Sequence, residues 1–304
     1  MKKVKVLLST YNGEKYLREL VESVLSQKDV NIKLLIRDDG SNDSTHEILD
    51  ELSSQKNISI EYAENVGWRK SFMSLISTVR IEDDCFYAFA DQDDVWKSDK
   101  MSSAIEMIDV NQPMLYHSNM TLVDSNMKVI ANKYVDNFTP TSQMPQAFFD
   151  GIGTGATMVM NSALVELIQQ YLPNQEIAHD AYIMALANLL GTTIYDGESH
   201  ILYRRHNDTA TGFKNSKKID KPTLLDRYER YKKMPKNSYS IRAEQLFEGY
   251  TDNLTLPQRK LMKKIGNYRN HLMIKFSLLL SPQIRATSLK KTLLIKYRII
   301  CNTL

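Results

Sequence analysis

The feature that most constrains this chain is the regular exchange of two hydrophobic periods over residues 4–90. Short apolar runs, VKVLLS (4–9), IKLLIRD (32–38), ISIEYA (58–63) and CFYAFA (85–90), read as strands. Between them NGEKYLRELVESVLSQ (12–27), DSTHEILDELSSQ (43–55) and WRKSFMSLISTV (68–79) carry apolar residues at helical spacing. Strands alternating with helices of this length predict βαβ units, a parallel sheet and right-handed crossovers. A run as apolar as CFYAFA predicts a strand covered on both faces, and open sheets of this kind bind ligands outside the carboxyl ends of their strands.

Polar clusters follow three of these strands at that same end: STYNGEKY, IRDDGSNDST and FADQDDVW. The last places Asp91, Asp93 and Asp94 within four positions, and such crowding costs free energy unless a hard divalent cation or another device offsets it. The competing reading is a solvated turn in which Asp94 or Ser98 caps the next helix. In the second cluster, Asp38 or Asp39 can accept hydrogen bonds from a nucleobase edge or ribose, Gly40 permits positive φ, and Asp43 or Ser44 can start a helix.

From residue 111 the alternation loosens. Strands are expected at 114–124 and 128–134, then a polar loop, the glycine-rich strand entry GIGTGATMVMN (151–161), and helices at 162–171 and 179–190. Two short strands, TTIYD and HILYR, precede the loop RHNDTATGF, and the chain reads as helical from 222 onward.

Charge divides the chain at FKNSKKIDKP (213–222). Residues 1–213 carry 18 Lys and Arg against 30 Asp and Glu, a balance of −12; residues 214–304 carry 21 against 6, or +15. No acidic side chain follows Asp252, so the last quarter calls for an anionic partner. The segment KLMKKIGNYRNHLMIKFSLLLS (260–281) mixes apolar and cationic residues as interfacial helices do. Membrane contact through residues 255–304 is expected ahead of simple packing or a homodimer. Nucleic acid is not expected, because no binding motif accompanies the charge. Two cysteines, Cys85 and Cys301, leave no disulfide framework or thiolate metal site and fit a reducing cytosol. The N-terminal apolar stretch reads as a strand rather than a signal peptide, and no run approaches a membrane span.

LLSTYNGEKYL, LIRDDGSNDST, ENVGWRKSF and FADQDDVW, in this order, resemble the nucleotide-binding half of inverting family 2 glycosyltransferases with the GT-A fold. DQDDVW is similar to their bacterial rhamnosyltransferase branch. The resemblance implies that Thr10, Tyr11, Glu14 and Asp39 hold the nucleobase, that Lys70 lies beside the nucleotide, and that Asp91 and Asp93 form the pair that binds ribose and Mg²⁺ or Mn²⁺. It implies Asp180, in IAHDAYI, as the base that takes the acceptor proton, with His179 as an orienting neighbour or a helix cap. From ILYRRHNDTATG it implies His206 as a metal or diphosphate ligand and Arg204 or Arg205 on phosphate oxygens. After His206 the chain has Asn207, Asp208 and Thr209 where the pattern has Gly and Asn.

The expectation is therefore an α/β GT-A catalytic domain over 1–213, with halves at 1–110 and 111–213, and a basic helical extension over 214–304. It would transfer a sugar, by resemblance L-rhamnose from dTDP-rhamnose, to a glycan or lipid-linked glycan at the cytoplasmic face of the membrane. A UDP-sugar donor is the alternative. A D-x-D-x-[TV] phosphatase should carry its motif after the first strand of its sheet, not the fourth. A non-catalytic nucleotide-sugar scaffold would have no need to retain Asp39, Asp91, Asp93, Asp180 and His206 together.

Overall fold

A computed structural model describes residues 1–136, 139–151, 153–206 and 235–304. Among the described residues the chain runs β1 (Lys2–Thr10), α1 (Leu17–Leu25), β2 (Val30–Asp38), α2 (Thr45–Leu52), β3 (Ile58–Tyr62), α3 (Trp68–Thr78), β4 (Cys85–Asp91), β5 (Val95–Trp96), α4 (Lys100–Met107), β6 (Met114–Val123), β7 (Val129–Ala131) and α5 (Gln146–Asp150). It continues through β8 (Met158–Asn161), α6 (Ser162–Gln170), α7 (His179–Leu190) and β9 (Thr192–Arg204) to α8 (Ser238–Tyr250), α9 (Leu256–Asn267), α10 (Leu272–Leu280) and α11 (Leu289–Ile300). The expected boundary at 213/214 lies outside the described residues, as does the segment from 222 to 234.

One sheet carries the molecule, in the order β3-β2-β1-β4-β8-β6-β9-β5 with β7 on β6. The four strands of the first ninety residues pair in parallel, so their carboxyl ends share one edge: Ser9 lies beside Asp91, and Thr10 beside Asp38. Beyond β4 the sheet is mixed, because β8 runs antiparallel to both β4 and β6, while β9 is parallel to β6. Each face is covered. Leu8, Ile36, Phe86 and Ala88 pack toward α1, α2 and α4, and Leu7, Tyr87, Phe89 and Met158 toward α3, α6 and α7.

Three differences from the sequence reading have local causes. The first helix starts at Leu17 rather than 12, because the Gly13 carbonyl accepts from both Tyr16 and Leu17 and holds residues 11–16 as a loop. TTIYD and HILYR are one strand, β9, whose register on β6 shifts twice: Asp196 and Ser199 oppose the adjacent Ser118 and Asn119, so Gly197 and Glu198 bulge, and a second shift lies between Asn119 and Thr121. Residues 95–96, directly after DQDD, form a strand on β9.

The basic C-terminal helices are not a detached tail. Leu246, Tyr250, Met262, Ile265 and Ile299 share one continuous apolar core with Leu164, Ile168 and Tyr182 of α6 and α7. No helix among the described residues is long and apolar enough to cross a membrane.

Candidate functional site

Three loops meet at the carboxyl edge of β1, β2 and β4, and Gln92 joins two of them. Its Oε1 accepts from Thr10 Oγ1 at 2.7 Å and from the Tyr11 amide at 2.8 Å, while its Nε2 donates to the Tyr11 carbonyl at 2.9 Å. Thr10 is thus turned into the protein, and Tyr11 stays exposed at the rim. Sequence reasoning passed over Gln92 because an amide between two carboxylates carries no charge signal.

The second loop is built by its own acids. Asp38 is fully buried, accepting from the Ser41 amide and from His46 Nε2 at 2.8 Å. Asp39 accepts from the Val66 and Gly67 amides at 3.0 and 2.9 Å and pairs with Arg37, so it fixes the entry to α3. Gly40 holds φ at +78°, as the turn requires. Glu14 accepts from the Ser44 amide at 3.0 Å, and Asp43 accepts from the Thr45 amide. Lys70 makes no hydrogen bond or ion pair among the described residues; with Arg69 and Glu176 it lines a separate groove of about 280 Å³ beside α3.

At the mouth of β4 the charges crowd. Burial, and after it the negative charges of Asp93 and Asp180, together push the Asp91 carboxyl up to about 7. Asp180, at the start of α7, therefore faces the DQDD cluster although 89 residues separate it from Asp91 in sequence. Its Oδ1 accepts from the Ala181 amide at 2.6 Å. His206 Nε2 lies 2.8 Å from Asp93 Oδ2, so His206 orients that carboxylate.

Beneath them, Asp94 is buried and raised well above the usual carboxylate range by desolvation and by Asp93 and Asp91. Its Oδ1 accepts from the Arg204 amide at 3.0 Å, and its Oδ2 has no hydrogen-bond partner among the described residues. Neither Asp94 nor Ser98 caps the next helix, which begins after Asp99. The buried Lys100 ammonium also lacks a hydrogen bond, lies 4.0 Å from the Trp96 ring centre and is pushed down to about 7 by burial. Nothing in the sequence marked Lys100, because an isolated lysine at a helix start reads as surface.

Two expectations need correction. Arg204 is not offered to a phosphate: it is buried, with Nε donating to the Asp93 carbonyl at 2.7 Å, Nη1 to the Ser125 carbonyl at 3.2 Å and Nη2 paired with Glu19, over the Tyr16 ring. An arginine ending a covered strand must spend its donors inside the protein. His179 neither caps α7 nor reaches a polar partner. Its ring centre lies 4.3 Å from that of Phe72 and 4.8 Å from that of Phe89, both nitrogens lack a hydrogen bond among the described residues, and burial pushes it down to about 4. A Cβ on Gly155 would lie 2.4 Å from His179 Nε2, so only glycine fits there.

The glycosyl transferase family 2 profile matches residues 5–160, which hold the first three loops and β4. The chain belongs to glycosyl transferase family 2. A Shigella flexneri relative named dTDP-rhamnosyl transferase RfbG is 32% identical over 267 residues, covering 82% of this chain and 91% of that protein. Escherichia coli WfgD, named UDP-Glc:alpha-D-GlcNAc-diphosphoundecaprenol beta-1,3-glucosyltransferase, is 29% identical over 134 residues, 43% of this chain and 50% of its own. Among solved structures, S. aureus TarS 1–349 in complex with UDP-GlcNAc superposes with a TM-score of 0.57 at 17% identity, covering 92% of this chain and 77% of that one. The protein is a glycosyltransferase with the GT-A fold.

Family 2 enzymes of this fold typically use a divalent cation. Among the described residues no three His, Cys, Asp or Glu side chains stand as a ligand set. The site fits such a cation in a narrower way. Asp91 and Asp93 present crowded carboxylates to the same space, and Mg²⁺ is commonly held by one or two carboxylates with substrate phosphates completing its shell.

Proposed function

We propose that this glycosyltransferase moves a sugar, L-rhamnose from dTDP-L-rhamnose, to a glycan hydroxyl with inversion at the anomeric carbon. The observation that carries the chemistry is the convergence of Asp91, Asp93 and Asp180 at the mouth of β4. The acceptor oxygen attacks the anomeric carbon, the bond from that carbon to the diphosphate oxygen breaks, and the acceptor proton passes to the Asp180 carboxylate. Mg²⁺ or Mn²⁺ held by Asp91 and Asp93, when bound, neutralises charge on the departing diphosphate. His206 keeps Asp93 in place, Tyr11 and Glu14 frame the nucleotide side, and Asp39 holds the loop behind them. The division into a catalytic unit over 1–213 and an extension over 214–304 belongs to the same reading.

The similarity to the Shigella protein supports the donor. A second reading, a UDP-sugar donor, draws on the similarity to the E. coli glucosyltransferase. Calorimetry with dTDP, UDP, GDP and their sugar conjugates, with and without Mn²⁺, separates the two. Manganese-dependent binding of dTDP-rhamnose above the others is expected; preference for a UDP-sugar overturns the rhamnose assignment.

The acceptor is lipid-linked in this proposal, at the cytoplasmic face of an anionic membrane. The support is the outer side of α10 and α11. Leu272, Met273, Phe276 and Leu280 are between 60% and 87% exposed, and Leu289, Leu293, Tyr297 and Ile300 form a second exposed stripe. Lys264, Lys275 and Lys290 accompany the two helices, with no acid after Asp252. Replacing Leu272, Met273, Phe276 and Leu280 by Ser should release the protein from anionic vesicles while leaving dTDP binding intact. Dimer dissociation without a change in vesicle binding would assign the stripe to a second copy.

A further inference from the structure

Two adjoining cavities, about 120 and 210 Å³, lie between β6, β9, α5 and α7, and share His117, Asp150 and Tyr195 in their walls. Together they have room for far more than an isolated water, which needs only ~10–15 Å³. Met184 and Asn188 line one of them, and these residues follow Asp180 at intervals of four along α7, so Asp180 heads the same helix face.

The walls are unusual in what they leave unspent. His117 is 3% exposed and makes no hydrogen bond among the described residues, and the Thr154 and Tyr195 hydroxyls are likewise uncommitted. Burial pushes His117 down to about 4, which keeps the ring neutral, able to donate from one nitrogen and accept at the other. The Tyr195 ring lies 5.1 Å from it, centre to centre. The charged groups are already occupied: Asp150 accepts from the Thr287 amide at 2.9 Å and its hydroxyl at 2.7 Å, and Lys291 donates to the Asp150 carbonyl. What remains for a ligand is an uncharged set of donors and acceptors with the Tyr134 and Tyr195 rings beside it. That set matches a ring that carries several hydroxyls and no charge, since each hydroxyl both donates and accepts.

We propose that this cavity, walled by His117, Thr154, Tyr195 and the Asp150–Lys291 pair, seats the acceptor's terminal sugar as a neutral pyranose. The proposal rests on the reading of Asp180 as the base, which heads the helix face whose Met184 and Asn188 line the cavity. It also gives the C-terminal region a part in the site, since Lys291 lines one wall and Thr287 holds Asp150 in another.

Saturation-transfer NMR on the full chain, with dTDP present, tests it using methyl glycosides of neutral hexoses, methyl glucuronide and inorganic phosphate. Neutral glycosides should bind with Kd on the order of 1 mM. His117→Phe, which fills the cavity, should weaken them by about ten-fold or more, and the partly exposed Tyr195→Ala should also weaken them, with dTDP affinity unchanged in both. Binding that survives in both variants, preference for glucuronide or phosphate, or no glycoside binding while dTDP still binds would each overturn the cavity assignment. Glycoside binding without dTDP binding would keep the cavity and overturn the nucleotide reading instead.

Discussion

The two ends of β1 and β4 carry the same kinds of side chain and treat them in opposite ways. At the amino ends, the Lys5 ammonium lies 2.7 Å from Glu82 and also donates to the Arg80 carbonyl, Lys3 adds a second ion pair at 3.3 Å, and the Tyr87 hydroxyl accepts from the Glu82 amide. Hydrogen bonds from Lys5 and Lys3 hold Glu82 down at about 2. At the carboxyl ends, Asp91 is raised to about 7, Asp94 is raised with one oxygen unpartnered, and Lys100 is lowered without a hydrogen bond. One end satisfies its charges internally, and the other withholds that satisfaction. Perturbed groups of this kind gather where a ligand completes the arrangement, and the contrast assigns stability to one edge and chemistry to the other.

The contrast breaks first at Asp180. Asp180→Asn should reduce turnover by a factor of about 100 to 10,000 while calorimetry finds donor affinity nearly intact. Weakened donor binding with turnover retained would move the base elsewhere. At the paired end, Glu82→Ala should leave activity alone and lower unfolding free energy by about 1–3 kcal/mol in urea titrations, because Lys5 is left buried with one partner. At the site end the sign reverses. Asp91→Asn should raise the thermal midpoint of the unliganded protein, since it relieves crowding, and a fall in that midpoint would show that Asp91 is paired rather than crowded.

Acid should separate the two ends by window. His117 and His179 are pushed down to about 4 in the folded protein, whereas the unfolded chain takes up protons near 6.5. Between those values the unfolded state binds more protons at these two histidines, which lowers stability as pH drops from 6.5 toward 4, while Asp91, raised to about 7 when folded, takes up its proton in the folded state and works the other way. Glu82, held at about 2 against an ordinary 4.5, contributes stability above 4.5 that is lost as pH falls through 2. From pH 7 to 5, urea midpoints of His179→Phe should shift toward greater relative stability than the parent's, while Glu82→Gln should keep the parent's pH slope on a lower baseline.

The strands of the first half were legible because β1 and β4 are covered on both faces and so had to be apolar, while β2 and β3 keep apolar residues at alternate positions, and the loops because crowded acids stand out. The partition of roles inside those loops was not. Asp39 and Arg204 both announce charge in sequence, yet one is consumed by the Val66 and Gly67 amides and the other by Asp93, Ser125 and Glu19. Whether a charge is spent or offered depends on backbone groups that arrive from distant segments. His179 was misread for a related reason: its cage comes from α3 and β4, which local sequence does not bring to mind. The continuity of β9 was hidden by Gly197 and Glu198, which look like a break and are a bulge.

The packing of α8, α9 and α11 against α6 and α7 has a practical consequence for anyone who wants to handle this enzyme. Shortening the chain near residue 220 would strip the cover from Leu164, Ile168 and Tyr182 and remove the lysine that closes the sugar cavity. The result would be an opened core rather than a trimmed protein. Recolouring the exposed side of α10 and α11 with polar residues, by contrast, leaves the interior untouched.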